Sequence, residues 1–330
     1  MPWLLFFASS AVVVAAATKL SEFSDVIAVR TKLGGLFVGT IFLAAATSLP
    51  ELIASISSFR AGVPNLAAGN FFGSNMTNIA LLAMVDLAYR QIPLLRRVAV
   101  THSLTAALAT ILMLVAVIAM VAEFHLAIGW VGVSSLLIIG LYFIGMWLLQ
   151  RENQANSSTT TLIMEPADDF PTLRRGIIGF LIAAGFLLAT VPLLVQSSTD
   201  IAVLTGLGTG FVGTTLLSLV TSLPELIAVF AALRLNAFDL AVGNLLGSNV
   251  FNMLGVGISD FFLTSGPFLS VIDPDFVLVG LLGILLTNMA LVGNLARVQR
   301  KFLFFELDSI AILLVYFLGL AALYVRGIGA

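Results

Sequence analysis

The sequence predicts an all-α polytopic membrane protein in which ten transmembrane helices form two inverted five-helix repeats. Three observations support this prediction. The 330 residues are 60% hydrophobic and only 10% charged, with a mean hydropathy of +1.11, which is too apolar for a soluble domain of this length. Ten apolar segments are each long enough to cross a bilayer. Two sequence motifs also occur twice at one constant offset, as when Glu225 follows Glu51 after 225 − 51 = 174 positions.

The predicted spans fall into two groups of five. They lie near residues 3–29, 34–59, 66–88, 98–122, 126–149, 175–202, 205–232, 238–262, 274–296 and 303–325. A polar stretch rich in Ser, Thr, Asn and Pro follows the fifth span and predicts a linker. We therefore divide the chain into a first repeat at residues 1–150, a linker at 151–174 and a second repeat at 175–330. Because five is odd, the second repeat enters the membrane from the opposite side, an arrangement typical of secondary transporters.

The distribution of Lys and Arg predicts the orientation. If the N-terminus is outside, 13 of the 15 Lys and Arg residues are cytoplasmic, and only Arg60 and Arg326 are outside. The first 17 residues are apolar, with no basic residue before them and no clear cleavage site, so we expect them to begin the first helix. We expect a multi-pass protein of the plasma or inner membrane with both termini outside and a cytoplasmic linker.

Composition argues against several functions. The chain has no cysteine, which excludes disulfides, cysteine-ligated zinc and thiol catalysis. A net charge of −2 does not suggest a nucleic-acid partner. The GxGxxG pattern at residues 208–213 lies in an apolar span without a βαβ context, so it indicates helix packing. We therefore expect no enzyme activity, no resident cofactor and no obligate protein partner.

The first repeated motif is TSLPE. It occurs in GTIFLAAATSLPELIASISSFR at residues 39–60 and in GTTLLSLVTSLPELIAVFAALR at residues 213–234. Proline has no backbone N–H and clashes with the preceding turn. Pro50 and Pro224 are therefore expected to kink or open their helices and to free carbonyls near Thr47 and Thr221.

The motif also places Glu51 and Glu225 within predicted spans. A carboxylate inside a membrane is costly and usually functional. A proline kink used only for packing, with each glutamate reaching a headgroup, is the alternative, and the repetition at one offset disfavours it. Carboxylates, hydroxyls and freed carbonyls are hard oxygen ligands that suit Ca²⁺ or Na⁺.

The second motif is GNxxGSNxxN, a polar stripe on an apolar helix. It occurs in NLAAGNFFGSNMTN at residues 65–78 and in DLAVGNLLGSNVFN at residues 239–252. Side chains four residues apart share a helix face. We favour ion ligation for Ser74, Asn78, Ser248 and Asn252. Ligation and interhelical hydrogen bonding are equally open for Asn70, Asn75, Asn244 and Asn249. The glycines at positions 69, 73, 243 and 247 are expected to let neighbouring helices approach closely.

These motifs resemble the α-repeats of the sodium/calcium exchanger family, in the cation/calcium exchanger superfamily. The resemblance covers the motif cores at residues 39–86 and 213–260 strongly, and the five-plus-five layout extends it over the chain as a prokaryotic type with a short cytoplasmic loop. It implies an antiporter that exchanges Na⁺ for Ca²⁺ by alternating access, with both ions as substrates. Where many members carry Asp, this chain has Asn252, which argues against K⁺ cotransport. Many members also carry Gly where Ala46 and Val220 stand.

The resemblance further implies two sets of ligands. The calcium-binding set, and hence the metal site, is Glu51, Glu225, Thr47 and Thr221. The sodium-binding set is Glu51, Glu225, Ser48, Ser222, Ser74, Ser248, Asn78 and Asn252. No catalytic residue is implied.

Three other functions remain open from the sequence. A Ca²⁺/H⁺ exchanger would use the same two glutamates as proton carriers, although an Asn at the end of both motif copies favours Na⁺. A cation channel would use the glutamate pair as a filter. A non-transporting scaffold would need neither glutamate. For alternating access, Gly34–Gly35 and Gly206–Gly210 are the expected hinges, and spans one and six are expected to move. Asp86 and Asp260, matched across the repeats, are expected to cap or gate rather than bind an ion.

Overall fold

The computed structural model describes residues 1–31, 43–89, 94–123, 126–156, 171–295, 301–302 and 305–329. Within these ranges the chain is largely helical. The α-helices are α1 (Pro2–Arg30), α2 (Leu49–Arg60), α3 (Pro64–Ala88), α4 (Leu94–Val121), α5 (Val133–Asn156), α6 (Leu173–Thr205), α7 (Thr209–Val212), α8 (Ser218–Thr221), α9 (Leu223–Arg234), α10 (Phe238–Ile258), α11 (Phe268–Val271), α12 (Phe276–Leu295) and α13 (Leu307–Arg326). Residues 43–47 are also helical. A π-helical turn, Gly213–Leu217, joins α7 to α8, and a 3₁₀ turn, Ser259–Phe261, follows α10.

Two short antiparallel hairpins precede two of the helices. Strands β1 (Ala127–Ile128) and β2 (Val131–Gly132) pair before α5, and β3 (Lys301–Phe302) and β4 (Phe305–Glu306) pair before α13. The predicted starts of spans five and ten, at residues 126 and 303, were therefore too early. In the first hairpin Gly129 has a φ of +67°, which favours a tight turn over a helix.

Within the described ranges, eight of the ten predicted spans are present as helices long and apolar enough to cross a membrane. They are Pro2–Arg30, Pro64–Ala88, His102–Val121, Val133–Glu152, Leu173–Thr205, Thr209–Arg234, Phe238–Phe261 and Leu307–Arg326. Phe276–Val292 is apolar but shorter. The predicted second span, residues 34–59, is described only from residue 43, so the expected hinge at Gly34–Gly35 lies outside the described residues, as does most of the linker. The chain has the architecture of a multi-pass membrane protein.

Helices α3 and α10, which contain the second motif, lie at the centre. In their most apolar stretches 83% and 78% of the residues are buried, against 22% in α6 and 28% in α13. A helix that is buried all round must be surrounded by other helices, whereas the exposed apolar faces of α6 and α13 suit contact with lipid. The polar stripe of the second motif is thus held away from lipid.

Helices α1 and α6 form a separate layer beside this centre. They run antiparallel, because Gly176 and Gly179 near the start of α6 face Val26 and Phe23 near the end of α1. Their shared apolar cluster also includes Leu66 of α3. This is the pair predicted to move, and α6 ends at Gly206, whose φ of +70° marks a break before α7.

Two glycines of the second motif bring α3 into backbone contact with the π-helical turn. A Cβ on Gly69 would lie 2.6 Å from the nitrogen of Thr214, and one on Gly73 would lie 2.6 Å from its carbonyl oxygen. Real Cβ atoms do not approach backbone so closely, so only glycine fits. The predicted close approach is confirmed here. At Gly247 a Cβ would meet, among the described residues, just the Ala44 side chain, at 3.0 Å. For Gly243 the close approach stays a prediction.

Candidate ion-binding site

Each TSLPE motif interrupts its helix at the serine. Residues 43–47 and helix α8 end before Ser48 and Ser222, and α2 and α9 begin at the next residue with proline in the first turn. Proline is tolerated there because a first-turn N–H has no helical partner. In the described part of the chain, two backbone hydrogen bonds cross the first break, from the Ser48 N–H to the Ala44 carbonyl and from the Leu52 N–H to the Ser48 carbonyl. Neither uses the Thr47 carbonyl as its acceptor. The equivalent bonds across the second break end on Ser218 and Ser222. The prediction that each helix is kinked or opened at its proline is confirmed as a one-residue interruption at Ser48 and at Ser222.

The two glutamates are buried, and each is bonded to the opposite repeat. Glu51 and Glu225 are 1% and 0% exposed. Ser48 Oγ donates to Glu225 Oε1 at 3.1 Å, and Ser222 Oγ donates to Glu51 Oε1 at 3.5 Å. Ser248 Oγ adds a second donor to Glu225 Oε1, at 3.3 Å. The two motif copies therefore interlock, with each serine completing the surroundings of the other copy's carboxylate.

The threonines of the motif are held in the same reciprocal way. Thr221 Oγ1 donates to Asn70 Oδ1 at 3.0 Å, and Thr47 Oγ1 lies 3.4 Å from Asn244 Oδ1. Asn70 Nδ2 also donates to the Glu51 carbonyl at 2.9 Å. Asn70 and Asn244, the asparagines of the two GN pairs, thus hold the helices of the second motif against the helices that the TSLPE motif interrupts.

The remaining asparagines join α3 directly to α10. Asn78 Nδ2 donates to Asn249 Oδ1 at 2.9 Å, and Asn252 Nδ2 donates to Asn75 Oδ1 at 3.0 Å. The residue number rises along one helix as it falls along the other, so the helices pass each other antiparallel. This is the pairing that two repeats related by a two-fold axis produce. For Asn75 and Asn249, interhelical hydrogen bonding is therefore confirmed as a role.

Several buried oxygens at this junction lack a hydrogen-bond partner within the described residues. They are Glu51 Oε2, Glu225 Oε2, Asn78 Oδ1, Asn252 Oδ1 and Ser74 Oγ. A buried polar atom without a partner is costly and needs an explanation. All five belong to the predicted ligand set, and oxygens of this kind are ligands for hard cations. Among the described residues no cluster of three or more His, Cys, Asp and Glu occurs, so a cation here would meet two carboxylates and neutral oxygens.

All ten predicted ligands are buried, on or beside the broken helices and at the centres of α3 and α10. Sequence reasoning missed a chain of hydroxyls beside them, formed by Thr77, Ser218 and Tyr316. The repeat comparison concealed it, because the positions matching Thr77 and Ser218 are Phe251 and Ala44.

The matched aspartates lie outside this junction and act as caps. Asp260 accepts hydrogen bonds from the backbone N–H of Gly132 at 2.7 Å and of Phe268 at 2.6 Å. Asp86 accepts one from the backbone N–H of Leu95 at 3.2 Å and one from Ser309 Oγ at 2.6 Å. Both therefore anchor the segments that follow their helices, as the capping interpretation predicted.

Comparisons with known proteins agree with this arrangement. Residues 1–150 and 175–325 match the model of a family described as sodium/calcium exchanger protein. The putative antiporter CaxA of Alkalimonas amylolytica is 26% identical over 280 residues, which are 83% of this chain and 85% of that protein.

Solved structures show the same fold. The sodium-calcium exchanger NCX_Mj aligns with a TM-score of 0.60 and 18% identity over 97% of this chain and 98% of its own. The H⁺/Ca²⁺ exchanger CAX aligns with a TM-score of 0.65 and 15% identity over 98% of this chain and 88% of its own. With a family match over most of its length, the chain belongs to the sodium/calcium exchanger protein family.

Proposed function

We propose that the protein is a secondary active antiporter that exchanges Na⁺ for Ca²⁺ by alternating access. The proposal rests on one observation above all: two buried glutamates from opposite repeats each have one carboxylate oxygen that meets no hydrogen-bond donor in the described part of the chain. The family, and a relative named as a putative antiporter, support it.

Calcium would be bound at the centre of the junction. Glu51 and Glu225 together bring two negative charges, which one Ca²⁺ neutralises. The carbonyls of Thr47 and Thr221, at the two helix breaks, would complete the site. An empty pair of buried carboxylates is costly to enclose, so the loaded site crosses more readily than the empty one.

Sodium would use the same carboxylates together with neutral side chains. These are Ser48, Ser222, Ser74, Ser248, Asn78 and Asn252. Na⁺ beside Ca²⁺ would crowd like charges around shared oxygens, so the two ions compete. Competition for shared ligands is what couples the outward movement of one ion to the inward movement of the other.

We propose the complete architecture to be ten helices in two inverted repeats. The antiparallel, reciprocal pairing of α3 with α10 supports this, as does the odd number of predicted spans before the linker. We propose an orientation with both termini outside the plasma or inner membrane, on the strength of the Lys and Arg distribution.

Exchange of H⁺ for Ca²⁺ is the second candidate. The Oε2 atoms of Glu51 and Glu225, which have no hydrogen-bond partner among the residues the structure describes, could each hold a proton as readily as share a sodium ion. The fold does not separate the two candidates, since the chain aligns with both NCX_Mj and CAX. The neutral Asn252 favours Na⁺.

The test is Ca²⁺ uptake by proteoliposomes. One set is preloaded with Na⁺, and the other is free of Na⁺ and carries an imposed pH gradient. We expect uptake only with internal Na⁺, and its loss in Glu51→Gln. Uptake driven by the pH gradient alone would contradict Na⁺ coupling, and uptake without any counter-ion gradient would indicate a channel.

A further inference from the structure

A chain of three buried hydroxyls lies beside the Glu51 half of the site. Thr77 Oγ1 is 3.4 Å from Ser218 Oγ and 3.3 Å from Tyr316 Oη. Thr77 is 1% exposed, Ser218 0% and Tyr316 9%. Ser218 Oγ also donates to the Thr214 carbonyl, at 2.6 Å. Three helices and the π-helical turn therefore meet in one line of hydrogen bonds.

Counting protons sets the direction of this chain. A hydroxyl has one proton to donate and two lone pairs. Ser218 gives its proton to Thr214, so it accepts from Thr77. Thr77 has then used its own proton, so it accepts from Tyr316. The order is Tyr316 to Thr77 to Ser218 to the Thr214 carbonyl.

The chain joins the segment that carries Ser222, which donates to Glu51, to the segment that carries Ser74, which matches the Ser248 that donates to Glu225. Ser218 lies one helical turn before Ser222, the serine that donates to Glu51. Thr77 lies three residues after Ser74, whose hydroxyl has no partner within the described residues. A hydrogen bond between Thr77 and Ser218 therefore fixes the spacing of Ser74 and Ser222 across the site.

Where the structure describes the other repeat, no such chain is present. The positions matching Thr77 and Ser218 are Phe251 and Ala44, which bear no hydroxyl, and only the tyrosine is repeated, as Tyr142. Glu225 instead accepts from two serines directly. The two flanking positions of the site are therefore inequivalent, although the motifs around them match.

We propose that Thr77, Ser218 and Tyr316 are positioning residues that set the affinity of the Glu51 half for the monovalent counter-ion. The inference rests on the proposed exchange of Na⁺ for Ca²⁺. A flanking sodium ion depends on Ser74 and Ser222 being held at ligand distance, and the hydroxyl chain holds them. Ca²⁺, bound between both carboxylates, draws on both halves and depends on the chain less.

The experiment measures two half-saturating concentrations in proteoliposomes, that of Na⁺ and that of Ca²⁺. The variants are Thr77→Val, Ser218→Ala and Tyr316→Phe, with Tyr142→Phe as the matched control from the other repeat. Removing one buried hydrogen bond should raise the half-saturating Na⁺ concentration about three- to tenfold and change that of Ca²⁺ less than about twofold. Thr77→Ser retains the hydroxyl and should restore the wild-type Na⁺ value.

The possible outcomes distinguish a failure of the positioning role from a failure of the proposed Na⁺/Ca²⁺ exchange. Wild-type uptake that does not depend on Na⁺ overturns both. Na⁺-dependent wild-type uptake, with variants that behave like Tyr142→Phe, overturns the positioning role alone. Equal weakening of Na⁺ and Ca²⁺, or a Thr77→Ser variant as impaired as Thr77→Val, shows a merely structural role and also overturns it. The thermal unfolding midpoint identifies any variant that does not fold, and the remaining two substitutions then decide.

Discussion

The two halves of the site share a motif but hold their glutamates differently. Within the described residues, Glu225 accepts hydrogen bonds from Ser48 at 3.1 Å and Ser248 at 3.3 Å, whereas Glu51 accepts a longer one from Ser222, at 3.5 Å. Ser74, which matches Ser248, has no partner within the described residues. A repeat in sequence therefore specifies which side chains face the junction, while neighbours outside the motif decide how each half is completed.

The largest expected effect is a loss of Ca²⁺ uptake, and it tests the feature that the two halves share, a buried glutamate. Glu51→Gln and Glu225→Gln should each lower Na⁺-driven Ca²⁺ uptake on the order of 100-fold or more, because loss of one buried charge leaves the cation uncompensated. Glu22→Gln is the control, since Glu22 is exposed on α1 and pairs with Lys19. Uptake by either site variant at the level of this control would contradict a shared two-carboxylate centre.

Alanine substitutions at the glycines of the second motif should destabilise the protein to different extents in the two halves. Gly73→Ala would drive a Cβ into the Thr214 backbone, which cannot yield, so we expect a loss of about 2–3 kcal/mol. Gly247→Ala meets only the Ala44 methyl group and should lose less than about 1 kcal/mol. Thermal unfolding in detergent measures both. Equal losses would mean that the tight backbone contact is not confined to one repeat.

Substituting asparagine for each of the matched aspartates should lower stability by different amounts, and this difference should be smaller. In Asp260→Asn one of two backbone N–H groups would face the new amide nitrogen, at a cost of about 1–3 kcal/mol. In Asp86→Asn the Ser309 hydroxyl can rotate and accept from the amide, so the loss should be smaller. Neither change should alter the half-saturating Na⁺ concentration of folded protein. An altered Na⁺ dependence would assign these residues to gating instead of capping.

The smallest effect concerns the two serines of the GSN sequences. Ser248→Ala removes a donor to Glu225 and should lower stability by about 1 kcal/mol without added ions. Ser74→Ala removes a hydroxyl that has no hydrogen-bond partner among the described residues, so it should leave that stability unchanged while weakening Na⁺ dependence. Unfolding in ion-free buffer and Na⁺ titration of uptake test the two halves of this statement. A destabilised Ser74→Ala would show that Ser74 is structural.

Much of the fold could be predicted because its signals are local. Spans such as Leu173–Thr205 follow from a run of apolar residues, and the breaks at Ser48 and Ser222 follow from proline two positions later. The hairpins before α5 and α13 were missed, since the apolar residues of Ala127–Gly132 and those between Lys301 and Glu306 resemble the start of the helix that follows. Hydropathy alone does not distinguish a short strand from a helical turn.

The sequence by itself determined the membrane class, the repeat and the side chains expected at the site, because hydrophobicity and a duplicated motif can be read along the chain. Only the tertiary structure decided which serine meets which glutamate and that, among the described residues, the hydroxyl chain lies on one side of the site. Its bonds join Thr77 to Ser218 across 141 positions and to Tyr316 across 239. Contacts between residues so far apart in the chain are determined by helix packing. They cannot be predicted from the hydropathy and motif spacing of a single sequence.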